Sequence, residues 1–464
     1  MAQAGYGTAP DGDVRRAPDS ARSVAIAAGI LLSLYTGLAL GYGDAIPLFE
    51  GPDEPAHLHH ALFLHAKGRM PSPLEVPEAG AEPPLFYAVS APLLGAARLD
   101  RPAALDALRA VGLELYRSDP SLAASPALRV VPQGAHHFDT DGSLVELRRL
   151  RGASLAFGLL AVTFSFAAVW RVGRDARLAF LAASLLAFNP QFLFTSGFFS
   201  SDTANAAIGA AAMWIVLRAI EEGGPSRNQY IAGAALIGIG CLTRVAALPG
   251  LAVAAVAIVA IDRRPRRERR LDLAVAAAVA LLLAGPYAIW RLSQGPVPDA
   301  TPMPLAAPIP GPDQMSSVLA YLGDVYFPST FASFFGRFGW LDLPAPAGVL
   351  LALFTLSWTA LLGYCAGHLR ERNALLRDRA LHAYLLAAIA VTGFAHLAAN
   401  LLVEPVDGRA LFAVAPQVGV LFALGLGRLF GDEGRTLPVT IGVVAALVAL
   451  DLYCLRGVLI PAYF

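Results

Sequence analysis

Apolar runs of about 20 residues recur along this chain, and they restrict its fold more than any other feature. A helix of that length spans the hydrocarbon core of a bilayer. Inside lipid, only helices and closed barrels satisfy their own backbone hydrogen bonds. The runs fall at roughly 23–43, 150–170, 178–199, 203–220, 229–243, 245–261, 271–291, 346–367, 380–403, 409–430 and 437–458. They predict an all-α polytopic membrane protein with about eleven transmembrane helices. Charged residues make up only 15% of the chain, against about a quarter in soluble proteins, so a soluble globular class is excluded. Cys241, Cys365 and Cys454 all lie in apolar runs without metal-ligand spacing, and read as small buried hydrophobes. The run SVAIAAGILLSLYTGLALGYG (23–43) exceeds the roughly 7–15 residues of a signal-peptide core and is followed by no clear cleavage site. It reads as the first span.

Arginine placement sets the orientation. Arg15, Arg16 and Arg22 precede the first run; RVGRDAR (171–177) follows the second, DRRPRRERR (262–270) the sixth and HLRERNALLRDRA (368–380) the eighth. With eleven spans, all four segments fall on one side, the cytoplasmic one. Residues 1–22 then form a cytoplasmic tail, and 23–464 a single transmembrane domain. The connections 44–149 and 292–345 then face outward as long covering loops, and the short EPVDGR (404–409) lies on the same side. These arginines are topology markers, not a nucleic-acid surface. No Gly-rich phosphate loop accompanies them, which argues against nucleotide chemistry on that side.

Just past the first span, LFEGPDEPAHLHHALFLHAKGRMPSP (48–73) sets an acidic pair and four histidines in a largely aliphatic chain. PDEPAHLHHALFLHAKG predicts a helix opened by Pro52 and ended near Gly68. Asp53 and Glu54 occupy its first turn, where the helix dipole favours negative charge. Asp53, His57 and His60 share one helix face by spacing. Such a face can hold a divalent cation such as Mg or Mn, with Asp53 and His57 as ligands, or supply a tuned general base. A solvated polar face would show the same spacing. Glu82 precedes Pro83 and Pro84 at a helix entry, with Tyr87 one turn on. PPLFYAVSAPLLGAARL (83–99) and PAALDALRAVGLELYR (102–117) alternate apolar and polar faces, as helices lying in the membrane surface do. GPVPDATPMPLAAPIPGP (295–312) is too proline-rich for a helix. Long outer loops over a helical bundle suggest a lid over a cavity.

Arg244 in GCLTRVAALPG and Arg409 in EPVDGRALFAVAP interrupt apolar sequence on the side away from the arginine-rich segments. Charge at membrane depth is costly, which makes each a functional hypothesis. A phosphate or pyrophosphate, which Arg grips bidentately, fits both positions. A structural salt bridge to Glu404, Asp407 or Asp202 fits as well. In FNPQFLFTSGFFSSDTAN (188–205), Ser200, Ser201 and Asp202 cap a helix whatever the function, and Asn205 follows one turn later, where it could reach a sugar hydroxyl. FFGRFGWLDLP (334–344) carries Arg337, Trp340 and Asp342 among aromatics, which suits sugar stacking and equally an interfacial belt.

PDEPAH followed about thirty residues later by EPPLFY resembles the GT-C glycosyltransferases. The likeness is to the branch holding protein O-mannosyltransferases and the aminoarabinose transferase of lipid A, whose corresponding loop has an acidic pair and then a KPPL-like turn. PDEPAH, EPPLFY, FGRFGW and GRALFAVAP are similar to an uncharacterised bacterial membrane-protein family assigned to that fold. The resemblance implies an inverting transferase of the bacterial plasma membrane, with its active site on the extracytoplasmic face. Its donor would be a polyprenyl-phosphate-linked sugar, and its acceptor a glycan, a lipid or a protein. On this pattern Asp53 is the base, Glu54 and Glu82 assist with the acceptor or a metal, and Arg244 and Arg409 hold the lipid phosphate. His57, His60, Tyr87, Asp202, Asn205, Arg337 and Trp340 complete the expected substrate-binding set. One departure is that no lysine precedes Pro83. The rival classes are a transporter or flippase and a non-catalytic subunit of cell-envelope assembly. Transporters usually show repeated halves and polar residues near the bilayer midplane, and this chain shows neither.

Overall fold

All eleven apolar runs are helical in the computed structural model, which describes residues 20–47, 50–73, 75–76, 82–95, 145–294, 315–370, 379–402, 407–430 and 436–464. In chain order the principal helices are α1 (Ala21–Ala45), α2 (Glu54–Lys67), α3 (Leu85–Ser90), α4 (Val145–Gly173), α5 (Ala176–Ala187), α6 (Pro190–Ser196), α7 (Asp202–Glu221) and α8 (Arg227–Thr243). They continue with α9 (Leu248–Ile261), α10 (Arg266–Ser293), α11 (Phe327–Phe335), α12 (Ala347–Arg370), α13 (Arg379–Leu402), α14 (Ala415–Leu429) and α15 (Thr436–Cys454). Among the described residues eight helical stretches are long and apolar enough to cross a membrane, and α5 with α6 forms a ninth, bent by 67°. The runs at 229–243 and 245–261 form the shorter α8 and α9, joined through Arg244 and a turn over Val245–Ala247. Eleven helical runs thus comprise eight long spans, one broken span and two shorter helices.

The break between α5 and α6 has a local cause. Pro190 lacks an N–H and resists helical continuation from the residue before it. Asn189 restarts the chain by accepting from the N–H groups of Gln191 and Phe192. The bend turns the Phe198–Asp202 segment toward the end of α1, where Gly51 packs so tightly on Phe198 that any Cβ there would collide with the ring.

The main core joins α1, α4, α5, α7 and α14. Close backbone approach, rather than hydrophobic force, holds membrane helices together. Gly209 illustrates this, since a Cβ at that position would run into the Ala413 carbonyl. Side chains on α10 face outward, with Leu281 and Leu282 at 70% and 76% exposure, as lipid-facing residues should. A second, smaller core of Leu58, Leu62, Phe86, Tyr87, Leu150 and Phe199 fastens the outer-loop helices α2 and α3 onto α4. The strands β1 (Arg337–Phe338) and β2 (Leu343–Pro344) form a small antiparallel hairpin. The segment 83–99 is helical over Leu85–Leu94. The expected surface helix at 102–117, the proline-rich stretch 295–312, the first 19 residues and Glu404 lie outside the described residues.

Candidate active site

Asp53 and Glu54 are neighbours with opposite fates. Asp53 precedes α2 in the left-handed backbone region, φ 60°, and its carboxylate makes no capping bond to the helix. A non-glycine residue pays strain to sit there, and such outliers cluster at functional sites. The conformation sends the side chain away from the histidine face of α2. It is 55% exposed and points toward Arg409, with Oδ2 3.7 Å from Nη2. Asp53 caps the helix, its carbonyl accepting the His57 N–H at 3.0 Å, and its carboxylate faces Arg409.

Glu54 is buried completely and grips Arg151 of α4 through both oxygens, at 2.8 Å each. One of them also accepts from the Phe199 N–H at 3.0 Å. The remaining Arg151 donors reach the carbonyls of Gly43, Ile46 and Pro47, so all five guanidinium N–H groups are used. Glu54 has no surface left for an acceptor or a metal. It acts in this structure as an anchor that pins the start of α2 against α1 and α4. Arg151 was missed from sequence, although it lies in ELRRLRG, at the end of the second apolar run away from the RVGRDAR arginines.

Asp202 joins the two outlying arginines. Its Oδ1 lies 3.1 Å from Arg244 Nη2, and its Oδ2 lies 3.5 Å from Arg409 Nη1 and accepts from Ser200 Oγ. Arg409 is bound further to Asp407, with Nη2 2.6 Å and Nε 2.8 Å from Oδ2. Only 4% of the Arg409 side chain is exposed, whereas Arg244 keeps 23% and donates to Ser201 Oγ at 2.9 Å. Salt bridges to Asp202 and Asp407, which fitted these positions as well as a phosphate did, exist, yet they leave the arginines unequal. Arg409 is bolted into the wall, and Arg244 presents an open edge. Gly408 permits this, because a Cβ there would strike the Thr330 carbonyl, and its N–H is held by Ser333 Oγ.

Asp202 and Asn205 are themselves buried, and Asn205 donates to the Ala410 carbonyl at 3.3 Å. In this arrangement they hold the arginine-bearing turns, and Asn205 Oδ1 is buried without a hydrogen-bond partner among the described residues. Trp340 is likewise buried in the hairpin, at 4% exposure, which removes its face from a sugar. Arg337 is partly buried, feels both Asp342 and Asp407, and has its charge disfavoured chiefly by burial.

His57 Nδ1 shares a 2.6 Å hydrogen bond with Tyr87 Oη, and His60 stacks on the Tyr87 ring with centroids 3.9 Å apart. Burial first, and the positive charge of Arg244 next, push the His57 imidazole down to about 3, so it is neutral at physiological pH. The Asp53 carboxyl, open at its tip but enclosed by protein, is raised above the usual aspartate range; burial outweighs the opposing pull of Arg409. Glu82 is raised for the same reason, with Arg244 opposing the shift. Among the described residues no group of three His, Cys, Asp or Glu side chains is arranged to hold a metal ion.

An apolar hollow of about 330 Å³ lies against the turn that follows Arg409, through Leu411 and Val414. Phe331, Phe334, Phe354, Trp358, Leu411 and Phe422 are among its walls, so it runs between α11, α12 and α14 and reaches the turn that carries Arg409.

Residues 150–290 match the family model described as dolichyl-phosphate-mannose-protein mannosyltransferase. No curated protein matches the chain in sequence. Among solved structures it is similar to ArnT from Cupriavidus metallidurans bound to undecaprenyl phosphate, at 17% identity and TM-score 0.50, over 96% of this chain and 74% of that one. It is also similar to the Archaeoglobus fulgidus oligosaccharyltransferase in its apo form, at 17% identity and TM-score 0.43, over 94% of this chain and 55% of that one. A polytopic helical bundle, an acidic loop folded back on the end of its first span, and a likeness to ArnT that runs nearly the whole chain give this membrane protein the GT-C glycosyltransferase fold.

Proposed function

We propose that the chain is an inverting glycosyltransferase that moves a sugar from a polyprenyl-phosphate-linked donor to an acceptor hydroxyl. The reaction would take place at the membrane face where α1 ends, the extracytoplasmic face on the arginine pattern. The observation that carries this reading is Asp53: an exposed carboxylate in a left-handed backbone, with a raised pKa, facing an arginine pair at the membrane boundary. A base poised nearer the working pH is more effective.

In this reading Asp53 takes the proton of the acceptor hydroxyl as its oxygen attacks the anomeric carbon. The bond from that carbon to the phosphate oxygen breaks, and its electron pair leaves on the polyprenyl phosphate. The added negative charge falls to the open edge of Arg244, with Arg409 supplying a fixed positive field behind it. The prenyl tail has room in the aromatic hollow lined by Leu411 and Val414 of the turn after Arg409. The match to a mannosyltransferase family model and the fold of a protein crystallised with undecaprenyl phosphate support the donor class.

The test is transfer by the purified protein from a panel of polyprenyl-phosphate-linked sugars, read as release of the polyprenyl phosphate and as the anomeric configuration of the product by NMR. Transfer with inversion is expected. Retention of configuration would overturn the assignment of Asp53 as base, and absence of transfer with every donor would favour a non-catalytic role.

A further inference from the structure

On the flank of α1 and α4, behind the Glu54–Arg151 anchor, lies a hollow of about 250 Å³ that the proposed reaction does not use. Arg148, Arg149 and Asp44 form its charged part, and Ala39, Leu40 and Leu155 its apolar part. Arg151 closes the rear, but all five of its donors are already spent. Arg148, Arg149 and Asp44 are exposed, and among the described residues none of the three takes part in an ion pair. Opposite charges thus line one hollow without neutralising each other. Leu40, half exposed, opens it toward lipid. Gly152 leaves its middle empty, for a Cβ there would meet nothing within 4 Å.

We infer that this hollow binds a membrane phospholipid bearing both a phosphate and a primary ammonium, of the phosphatidylethanolamine type, from the leaflet on the Asp53 side. The phosphate fits the two arginines, whose forked donors suit phosphate oxygens. The ammonium fits Asp44, which accepts its N–H bonds and so separates it from a quaternary choline head or a glycerol head. The acyl chain leaves past Leu40 and Leu155. Arginine on this side of the membrane is unexplained by topology, since the positive-inside rule places it on the other face. Because the rear wall is Arg151, the bound lipid braces the anchor that holds the start of α2.

The test uses the full chain in detergent and no sugar donor, so it stands apart from the glycosyl-transfer reading. Phosphatidylethanolamine, phosphatidylglycerol and phosphatidylcholine of matched chains are added in equal amounts, and retained lipid is counted by native mass spectrometry. The wild-type protein should retain phosphatidylethanolamine preferentially. Arg148→Gln with Arg149→Gln should lower retention about tenfold or more, the loss of one or two charge-assisted bonds. Asp44→Asn should abolish the preference over phosphatidylglycerol without abolishing retention. Gly152→Phe, which fills the hollow and leaves every charge in place, should exclude the lipid. Equal retention of the three lipids by wild type, or retention unchanged in the double arginine variant, would overturn the inference. Competition by tail-free glycerophosphoethanolamine at the same concentration as the lipid would overturn it too, by showing a soluble-anion site.

Discussion

Two arginine–carboxylate assemblies stand side by side at the end of α1, and they are built on opposite terms. In the Glu54–Arg151 assembly every donor is used, both side chains are buried, and the partners are backbone carbonyls as well as the acid. In the Asp53–Arg409–Asp202–Arg244 assembly the contacts to Asp53 and across Asp202 are looser, at 3.7 and 3.5 Å, and the acid and one arginine remain open. A saturated buried pair leaves nothing for a substrate, whereas an unsaturated one keeps charge available for a ligand. Adjacent acids therefore do different work. One positions, and the other is placed for chemistry.

The sharpest way to break that contrast is to remove one carboxylate charge at a time. Asp53→Asn should lose about 10²–10⁴-fold in kcat, the usual worth of a general base, with thermal stability and donor binding retained. A variant that turns over at the wild-type rate would end the proposal for Asp53. Next comes the anchor. Arg151→Met leaves Glu54 buried without its charge partner, which costs about 3–5 kcal/mol in comparable cases. A fall in the thermal midpoint should follow. Arg151→Met combined with Glu54→Leu should recover much of it, since an apolar pair can replace a buried ion pair. Stability equal to wild type in the single variant would show that the anchor is dispensable.

A smaller effect separates the two arginines. Arg244→Ala should weaken donor binding about tenfold with the fold intact, as expected for a lost charge-assisted contact. Arg409→Ala should reduce stability first, because it strands Asp407 and removes one of the two arginines on the buried Asp202. Equal loss of donor affinity in both, without destabilisation, would erase the distinction between a bolted and an open arginine.

The smallest effect is on the pH profile. Asp53 must be ionised to act as base, and its pKa is raised, so kcat/KM should fall as pH drops through a value above the ordinary aspartate range. His57, already neutral above about 3, should add no limb near pH 6–7. A limb there that disappears in His57→Gln would contradict the neutral, Tyr87-bonded histidine.

Hydropathy is a local property, and the apolar runs alone located every helix among the described residues that is long and apolar enough to cross a membrane, since a lipid-spanning segment must satisfy its own backbone. Arg244 and Arg409 were also legible, because a charge inside an apolar run is expensive wherever it ends up. The boundaries of α2 followed from Pro52 and Gly68 for the same local reasons. What the sequence could not divide was the pair Asp53–Glu54. Both read as acids of one helix turn, and their separation rests on a positive φ and on partners far along the chain: Arg151 for one, Arg409 for the other. The burial of Asp202, Asn205 and Trp340 was equally hidden, for a polar or aromatic residue at a loop shows its type but not its neighbours. Sequence thus determined that a helical membrane bundle would carry acids and arginines to one boundary. Only the tertiary structure decided which of those charges are consumed by one another and which remain open to a ligand, because saturation depends on distances between segments that no local pattern encodes.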